Sequence, residues 1–105
     1  MPYTAMPSED EILMIQSFRS RSLRRFWERN DVSKLPADRI QRIGMILDRL
    51  SAAASPEDLN LPGLSFHRLS GSSKGRYAVS VSANWRITFG WRDQDAIEVD
   101  FEDYH

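Results

Sequence analysis

With 105 residues and no cysteine, the chain is long enough for one domain with its own core and cannot form disulfides, thiolate metal sites or thiol nucleophiles. No apolar run approaches the roughly 18 residues that cross a bilayer, so we expect a soluble, cytoplasmic protein. The net charge of -1 results from an uneven distribution of charge along the chain. The segment from Met14 to Arg92 holds all 14 Lys and Arg residues and only six acids, which gives it a local charge of +8. Either this segment binds an anionic partner, RNA or an acidic protein surface, or its helix arginines are solvated beside acidic neighbours.

The first half of the chain predicts a strand and two amphipathic helices. The β-prone run from Ile12 to Phe18 predicts a short strand. Arg19 to Asn30 carries apolar residues at helical spacing among arginines, which predicts a first helix. From Pro36 to Leu50, apolar residues recur at steps of three and four behind a proline suited to a first helical turn, which predicts a second helix. Ser55 and Pro56 predict the N-cap and first residue of a further helical turn.

The second half changes to a period of two and predicts an antiparallel sheet. Apolar and polar residues alternate in three segments, a fourth strand precedes them, and turn-forming residues separate all four. The predicted strands are Leu64–Leu69, Arg76–Ser82, Trp85–Trp91 and Ile97–Phe101. The order β-α-α-β-β-β-β predicts an α+β domain in which both N-terminal helices pack on one face of a twisted antiparallel sheet. We expect this domain to span residues 14–105 and residues 1–13 to be a poorly ordered extension.

Strand alternation also predicts which polar residues share the face of the sheet that the helices leave open. If the apolar residues of each strand face the helices, His67, Arg76 and Arg86 point the other way. The tripeptide from Asp103 to His105 follows directly on the last strand, which would hold it beside this face. The predicted site therefore combines imidazole, guanidinium, carboxylate and phenol groups.

These groups are sufficient for cleavage of RNA without a metal ion. The reaction needs a base for the 2'-hydroxyl proton, a cation for the charge of the phosphorane and an acid for the leaving 5'-oxygen. Histidine can be base or acid near neutral pH, and arginine binds phosphate oxygens through charge-assisted hydrogen bonds. An aspartate can orient a histidine, and a tyrosine can stack on a base. Composition alone leaves this as one hypothesis among several.

Each residue also has a structural explanation. A histidine in a strand is commonly a half-exposed bystander, and Arg76 or Arg86 could pair with Asp100 or Glu98 of the last strand. A metal site is a further alternative that no ligand-spacing motif supports. Its ligands would be His67, Glu102, Asp103 and His105.

Several motifs, in order along the chain, closely resemble the HigB toxins, the plasmid-maintenance killer proteins of the RelE superfamily. The resemblance covers Met14 to His105. The motifs that carry it are Met14–Arg19, Ser55–Gly63, Phe66–Leu69, Lys74–Val81, Asn84–Phe89 and Val99–His105. The resemblance implies a compact RelE-like fold of the microbial-ribonuclease type, which agrees with the predicted element order.

In function, the resemblance implies the toxin of a type II toxin-antitoxin system. Such a toxin is a metal-independent mRNA endoribonuclease, without a cofactor, that enters the ribosomal A site, cleaves the message there and inhibits translation. The implied partners are mRNA, the 30S A site of the ribosome with its ribosomal RNA, and a HigA-like antitoxin with a helix-turn-helix domain. Operator DNA would be contacted only through the antitoxin, and no membrane is involved.

Carried over by motif, the active-site positions that the resemblance implies are His67, Arg86, Asp103, Tyr104 and His105. Arg86 would stabilise the phosphate in the transition state. The two histidines would be the acid and the base, and the motifs do not decide which is which. Asp103 and Tyr104 would position the substrate or assist proton transfer.

One position departs from the family pattern. Related toxins often carry a lysine three residues after the histidine that matches His67, where this chain has Ser70. Lys74 or Arg76 could supply that charge, so the predicted substrate-binding residues are Ser70, Lys74 and Arg76. The departure also motivates an alternative function, a catalytically weak or inactive relative that binds its antitoxin and acts as a transcriptional corepressor. A free RNA-binding domain is disfavoured, because the chain has no RNP-type aromatic motif.

Overall fold

In the part of the chain that the structure describes, two α-helices and a four-stranded antiparallel sheet build an α+β domain, as the sequence predicts. The computed structural model describes residues 14–104, so the predicted extension at residues 1–13 and His105 lie outside the described residues. The helices are α1, Arg21–Arg29, and α2, Ile40–Ala52, and the strands are β1, His67–Arg68, β2, Tyr77–Ser80, β3, Trp85–Arg92, and β4, Asp95–Asp103. Short 3₁₀ helices lie at Ala37–Arg39, Pro56–Leu59 and Gly71–Ser73. No helix in the described part of the chain has the length and apolar content of a membrane span.

The ends of α1 are set by two side chains suited to helix termini. The Ser20 hydroxyl oxygen accepts a hydrogen bond from Leu23 N at 3.1 Å, which caps the N-terminus. Asn30 ends the helix in the left-handed conformation, with φ 57°, which asparagine tolerates better than most residues. Leu23 is fully buried, and Phe26 and Trp27 pack against the core. The predicted first helix is therefore confirmed to within two residues at each end.

A larger apolar face belongs to α2. Ile43, Ile46, Leu47 and Leu50 are buried, and their spacing places them along one side of the helix. The predicted second helix is confirmed, but a 3₁₀ helix forms its first turn and Pro36 stands before that turn rather than inside it. The reason is that Pro36 has ψ 122°, an extended conformation outside the helical region.

Two local predictions between the helices and the sheet are corrected. Ser55 stands at the N-cap of its 3₁₀ helix, but its hydroxyl makes no capping hydrogen bond. The predicted strand Leu64–Leu69 is reduced to β1, because Ser65 adopts φ 50°, a left-handed conformation that interrupts an extended ladder. Ser80 N still donates to Leu64 O at 2.7 Å, so the segment before β1 stays beside β2.

The segment before α1 lies along the outer edge of β4. Ile15 and Phe18 form two isolated parallel bridges with that strand. Between the bridges, Glu98 N donates to Ser17 Oγ at 2.9 Å rather than to a backbone carbonyl, which interrupts the ladder. Within the described residues, a bridged edge therefore takes the place of the predicted regular first strand and changes the predicted element order. The first two residues of that predicted strand, Ile12 and Leu13, lie outside the described residues.

A β-bulge in β4 changes which of its residues face the core. Between the partners of Thr88 and Gly90, β4 has one residue more than β3, and Glu98 there adopts φ 49°. Beyond this bulge the alternation is inverted, so Ala96 joins the core. Ile97 lies opposite Gly90, where a Cβ atom would stand 3.2 Å from Ile97 Cγ1. Ile97 therefore does not share the side of Val99, as uninterrupted alternation along the predicted strand Ile97–Phe101 would require, because alternation assumes a ladder without a bulge.

One hydrophobic cluster joins both helices to one side of the sheet. Its buried members are Leu23, Leu35, Ile43, Ile46, Leu47, Leu50, Leu59, Leu64, Val79, Val81, Ile87, Phe89, Ala96 and Val99. Ile87 and Phe89 are alternate residues of β3 and so point to the same side. The residues that alternate with them, Arg86 and Thr88, point to the opposite side, where the polar groups collect.

We expect Leu47→Ala to lower the free energy of unfolding by about 2–5 kcal/mol, because it leaves a cavity at a fully buried position. Met45→Ala is the matched control on the same helix, since Met45 is 37% exposed and should cost about 0.5 kcal/mol or less. Urea denaturation of both variants measures the difference. Equal losses would contradict the position of Leu47 in the core.

Candidate active site

The strand register places His67 and Arg86 on the same face of the sheet. His67 of β1 lies opposite Ala78, which lies opposite Thr88 of β3. Thr88 and Arg86 are alternate residues of one strand, so their side chains point to the same side. Since neighbouring strands are about 4.8 Å apart, the Cα atoms of His67 and Thr88 are about 10 Å apart. The prediction that His67 and Arg86 share this face is confirmed.

Arg86 is held by a carboxylate of β4. The register sets it opposite Glu102, and Arg86 Nε and Nη2 donate to Glu102 Oε1 at 3.3 Å and 3.0 Å. The two side chains are 22% and 28% exposed, so a ligand can still reach the pair. The Tyr104 ring covers the guanidinium, with 5.3 Å between Arg86 Cζ and the ring centroid. The alternative pairing of Arg86 with Asp100 or Glu98 is wrong, because its carboxylate partner is Glu102.

A buried threonine connects this ion pair to a second arginine. Thr88, which is 0% exposed, lies between Glu102 Oε2 at 2.8 Å and Arg76 Nη2 at 2.9 Å. A guanidinium can only donate hydrogen bonds, so the Thr88 hydroxyl accepts from Arg76 and gives its own proton to Glu102. Arg76 Nη2 also donates to the backbone oxygen of Glu98 at 2.8 Å. This Arg86 network therefore consists of Arg76, Thr88, Arg86 and Glu102.

The network keeps Glu102 ionised. Burial alone would raise the pKa of Glu102, but the hydrogen bonds from Thr88 and Arg86 and the charges of Arg86 and Arg76 hold it below its ordinary value. A carboxylate with a depressed pKa stabilises the fold at neutral pH, and this contribution is lost as the pH falls through the folded-state pKa. Burial also lowers the pKa of Arg76, and the charge of Arg19 adds to that effect.

His67 is exposed and its ring is oriented by the backbone beside it. Nδ1 lies 2.9 Å from the carbonyl oxygen of Ser65, the residue with φ 50°. Because a carbonyl oxygen only accepts, Nδ1 carries the hydrogen, and in the neutral ring Nε2 keeps its lone pair. The geometry of this turn therefore selects the tautomer of His67.

At the end of β4, the predicted site residues Asp103 and Tyr104 direct their side chains to opposite sides of the strand. Tyr104 N donates to Asn84 O at 2.9 Å, which holds the residue whose ring covers the guanidinium. Asp103 is paired in register with Trp85, which packs against the core on the helix side. Strand alternation thus brings Tyr104 to the guanidinium, whereas the backbone register directs Asp103 away from it. His105 lies outside the described residues.

The predicted substrate-binding residues lie in and beside the connection between β1 and β2. Ser70 and Lys74 flank the 3₁₀ helix of that connection, and both are exposed. Lys74 and Arg76 line a cavity of about 280 Å³, and the other lining residues are Arg68, Leu69, Gly75 and Tyr77. Of the three cations that line it, Arg68 is paired with Glu57 and Arg76 donates to Thr88 and to the backbone of Glu98.

Two members of the Arg86 network, Thr88 and Glu102, are not among the active-site residues that the sequence predicts. Thr88 has no predicted role, and Glu102 is predicted only as a ligand of the alternative metal site. Both occupy polar positions that alternate with apolar neighbours, Thr88 beside Ile87 and Glu102 beside Phe101, so the pattern places each on the open face. The missing information is the register that sets them against Arg86.

The alternative metal site finds no support in the described part of the chain. Within residues 14–104, no group of three or more His, Cys, Asp or Glu residues is arranged to hold a metal ion. Both carboxylate oxygens of Glu102 accept hydrogen bonds from Arg86 and Thr88. The fourth ligand of that alternative, His105, lies outside the described residues.

A second cationic surface lies on α1. The exposed side of this helix borders a cavity of about 420 Å³, whose lining residues are Arg21, Arg24, Arg25, Glu28 and Arg29. Arg24 Nε lies 3.8 Å from Glu28 Oε2, and both side chains are more than half exposed, at 56% and 57%. Since the apolar side of α1 packs on the core, this α1 arginine surface faces away from the core.

Comparison with known proteins identifies the family of this chain. The family model described as "RelE-like toxin of type II toxin-antitoxin system HigB" matches residues 16–105. The curated protein "Endoribonuclease HigB" of Proteus vulgaris is 36% identical over 92 residues, which cover 88% of this chain and 100% of the relative. His67, Arg86 and Tyr104, which the structure describes, all fall within the matched family segment. The chain therefore belongs to the HigB-like family of RelE-like toxins of type II toxin-antitoxin systems.

Proposed function

We propose that this toxin is an mRNA endoribonuclease that cleaves the message in the ribosomal A site, without a metal ion, and so inhibits translation. The observation that carries the proposal is Arg86, a largely buried guanidinium held by Glu102 on the open face of the sheet that also bears His67. The relative named as an endoribonuclease supports the same reaction class. In fold, the proposal corresponds to the RelE-like, microbial-ribonuclease type, with both helices on the other face.

Arg86 stabilises the charge that develops on the scissile phosphate. Arginine has five N–H donors, and Glu102 engages Nε and Nη2. The remaining N–H groups, on Nη1 and on the second position of Nη2, are directed away from Glu102 and can bind phosphate oxygens. A preorganised donor of this kind lowers the barrier, because it needs no reorientation as the phosphorane forms.

His67 is the proposed base, because its Nε2 keeps a lone pair while Ser65 O orients the ring. Nε2 takes the proton of the 2'-hydroxyl, the 2'-oxygen attacks phosphorus, and the bond from phosphorus to the 5'-oxygen breaks. The products are a 2',3'-cyclic phosphate and a 5'-hydroxyl, whose proton comes from the acid. By the family resemblance His105 is that acid, with Tyr104 assisting proton transfer or holding the substrate. The resemblance gives Asp103 the same role, but the register places its side chain on the other side of the strand from Arg86.

Lys74 supplies the positive charge that the family pattern places at Ser70. Lys74 shares its cavity with Arg68 and Arg76, and Arg68 is ion-paired with Glu57. Nη2 of Arg76 is already bound to Thr88 and to the backbone of Glu98, which leaves Lys74 as the more available contact for the message. The backbone of the RNA would then run from this cavity towards Arg86.

Two macromolecular partners follow from this proposal, in a cytoplasmic setting. The first is the ribosome, with its 30S A site and ribosomal RNA, and the second is a HigA-like helix-turn-helix antitoxin through which operator DNA is contacted. The α1 arginine surface supports the first partner, because its exposed arginines can bind phosphates of ribosomal RNA. Ribosomal RNA that surrounds the toxin can contact this surface and the open face of the sheet at once.

We expect Arg86→Ala to reduce message cleavage on programmed ribosomes by about 10²–10³-fold, because the site then lacks a preorganised donor to the phosphorane. Removal of Tyr104 and His105 should reduce it by about 10²-fold or more, through loss of the proposed acid. Arg49→Ala, at an exposed position of α2, is the control and should cleave normally. Single-turnover cleavage and growth after induction measure these effects. Growth arrest that survives both changes would show that the assigned site is wrong.

We expect replacement of Arg21, Arg25 and Arg29 by glutamine to weaken ribosome binding, because the neutral side chains no longer attract RNA phosphates. The dependence of log K on log salt should become shallower by about 0.7–0.9 for each phosphate that the variant fails to neutralise. Arg49→Gln with Arg92→Gln is the control pair of exposed arginines. Unchanged ribosome affinity together with weaker antitoxin binding would assign this surface to the antitoxin instead.

Ser70 favours one alternative function, a catalytically weak relative that binds its antitoxin and acts as a transcriptional corepressor. Loss of a cation near the scissile phosphate would slow cleavage without disturbing the antitoxin complex. This alternative predicts operator binding by the complex and normal growth on induction of the toxin. Cleavage mapped to A-site codons of translated messages would exclude it.

A further inference from the structure

We propose that Glu102 and Thr88 are positioning residues that hold Arg86 in the orientation needed by the scissile phosphate. The inference rests on the proposed role of Arg86 and extends it to two residues that do not themselves touch the substrate. Its structural basis is the Arg86 network, in which Glu102 receives hydrogen bonds from both neighbours on β3.

Glu102 is bound on both of its oxygens. Oε1 accepts from Nε and Nη2 of Arg86, and Oε2 accepts from Thr88 Oγ1 at 2.8 Å. A carboxylate restrained by three donors has a single orientation, because rotation about its terminal bond would break at least one of them. Glu102 therefore restrains the guanidinium more strongly than an ion pair with a mobile surface carboxylate would.

The network leaves one edge of the Arg86 fork open. Glu102 occupies the edge formed by Nε and Nη2, and the Tyr104 ring covers one face of the plane at 5.3 Å. With one edge and one face occupied, the other edge is the one available for bidentate binding of phosphate oxygens. The direction in which Arg86 meets the substrate is thus decided by its two neighbours at the end of the chain, Glu102 and Tyr104.

Thr88 sets the direction of the hydrogen bonds in the network. Its hydroxyl accepts from Arg76 Nη2 at 2.9 Å, so its single proton is directed to Glu102. Thr88 is completely buried, which means that water cannot replace this bond if the hydroxyl is removed. Arg76 donates to Thr88 at one end of this series of hydrogen bonds, and Arg86 donates to Glu102 at the other end.

A positioning role and a purely electrostatic role predict opposite effects on the cleavage rate when Glu102 is neutralised. If Arg86 acted through its charge alone, neutralising Glu102 would increase the positive potential of the site and favour the phosphorane. If its direction matters, the same change would release the guanidinium and slow the chemical step. A single variant therefore separates the two explanations.

The decisive experiment compares single-turnover cleavage on programmed ribosomes by Glu102→Gln, Thr88→Val and Thr88→Ser. Glu102→Gln keeps the shape of the side chain but replaces one acceptor oxygen by a donor. We expect the cleavage rate at saturating ribosomes to fall about 10–100-fold, as when a hydrogen-bond partner that orients a functional side chain is removed. The half-saturating ribosome concentration should stay the same or fall. Thr88→Val should behave like Glu102→Gln, while Thr88→Ser, which keeps the hydroxyl, should recover most of the rate.

Asp38→Asn is the matched control, because Asp38 Oδ2 lies 3.9 Å from Arg39 Nε in an exposed ion pair outside the network and outside the proposed binding surfaces. It should cleave at the rate of the unchanged protein. Thermal unfolding of every variant accompanies the assay, and the comparison of Thr88→Val with Thr88→Ser remains informative if Glu102→Gln does not fold. In an Arg86→Lys background, Glu102→Gln should cause little further loss, since the planar fork it holds is already gone.

A rate for Glu102→Gln equal to or above that of the unchanged protein, together with a strong loss in Arg86→Ala, would overturn the positioning role and leave the proposed function standing. Equally slow cleavage by Thr88→Ser and Thr88→Val would overturn the role of the Thr88 hydroxyl and attribute the loss to packing. Normal cleavage by Arg86→Ala would instead contradict the proposed function of Arg86. This outcome can be distinguished from the two results for the Glu102 and Thr88 variants.

Discussion

The pairing register of β3 with β4 is the constraint on which the rest of the site depends. It sets Arg86 opposite Glu102 and leaves Thr88, two residues along β3, on the same face, so one carboxylate joins both side chains. A slip of one residue would turn every side chain of the slipped strand to the other face. The bulge at Glu98 reconciles this register with the core, because apolar residues on both sides of the bulge can then face the helices.

The two faces of the sheet carry different physical roles. The helix side is apolar and closely packed, which supplies most of the free energy of folding through burial. The open side gathers the Arg86 network, a set of charges that contributes little net stability because desolvation offsets much of the attraction between ions. The network instead orients a functional side chain, since satisfied hydrogen bonds hold Arg86 in one orientation. The fold thus provides a rigid apolar support for an oriented cation.

How far the fold can be predicted depends on whether the hydrophobic period is interrupted. The periods of α1, α2 and β3 are continuous, and all three elements lie where the sequence places them. Ile97 does not share the side of Val99 because of a bulge, which alternation alone does not reveal. The shortened β1 arises at Ser65, whose left-handed conformation the alternation of apolar and polar residues does not reveal.

By itself, the sequence determined the α+β class, the family through its ordered motifs, and the shared face of His67 and Arg86, because each depends on residue type and local period. Only the tertiary structure decided the partner of Arg86. Glu98, Asp100 and Glu102 all follow in the next strand, and the choice among them is made by strand register, which couples residues far apart in the chain. The place of Thr88 in the network depends on the tertiary structure for the same reason, since a threonine in a strand acquires a function only from what the register sets beside it.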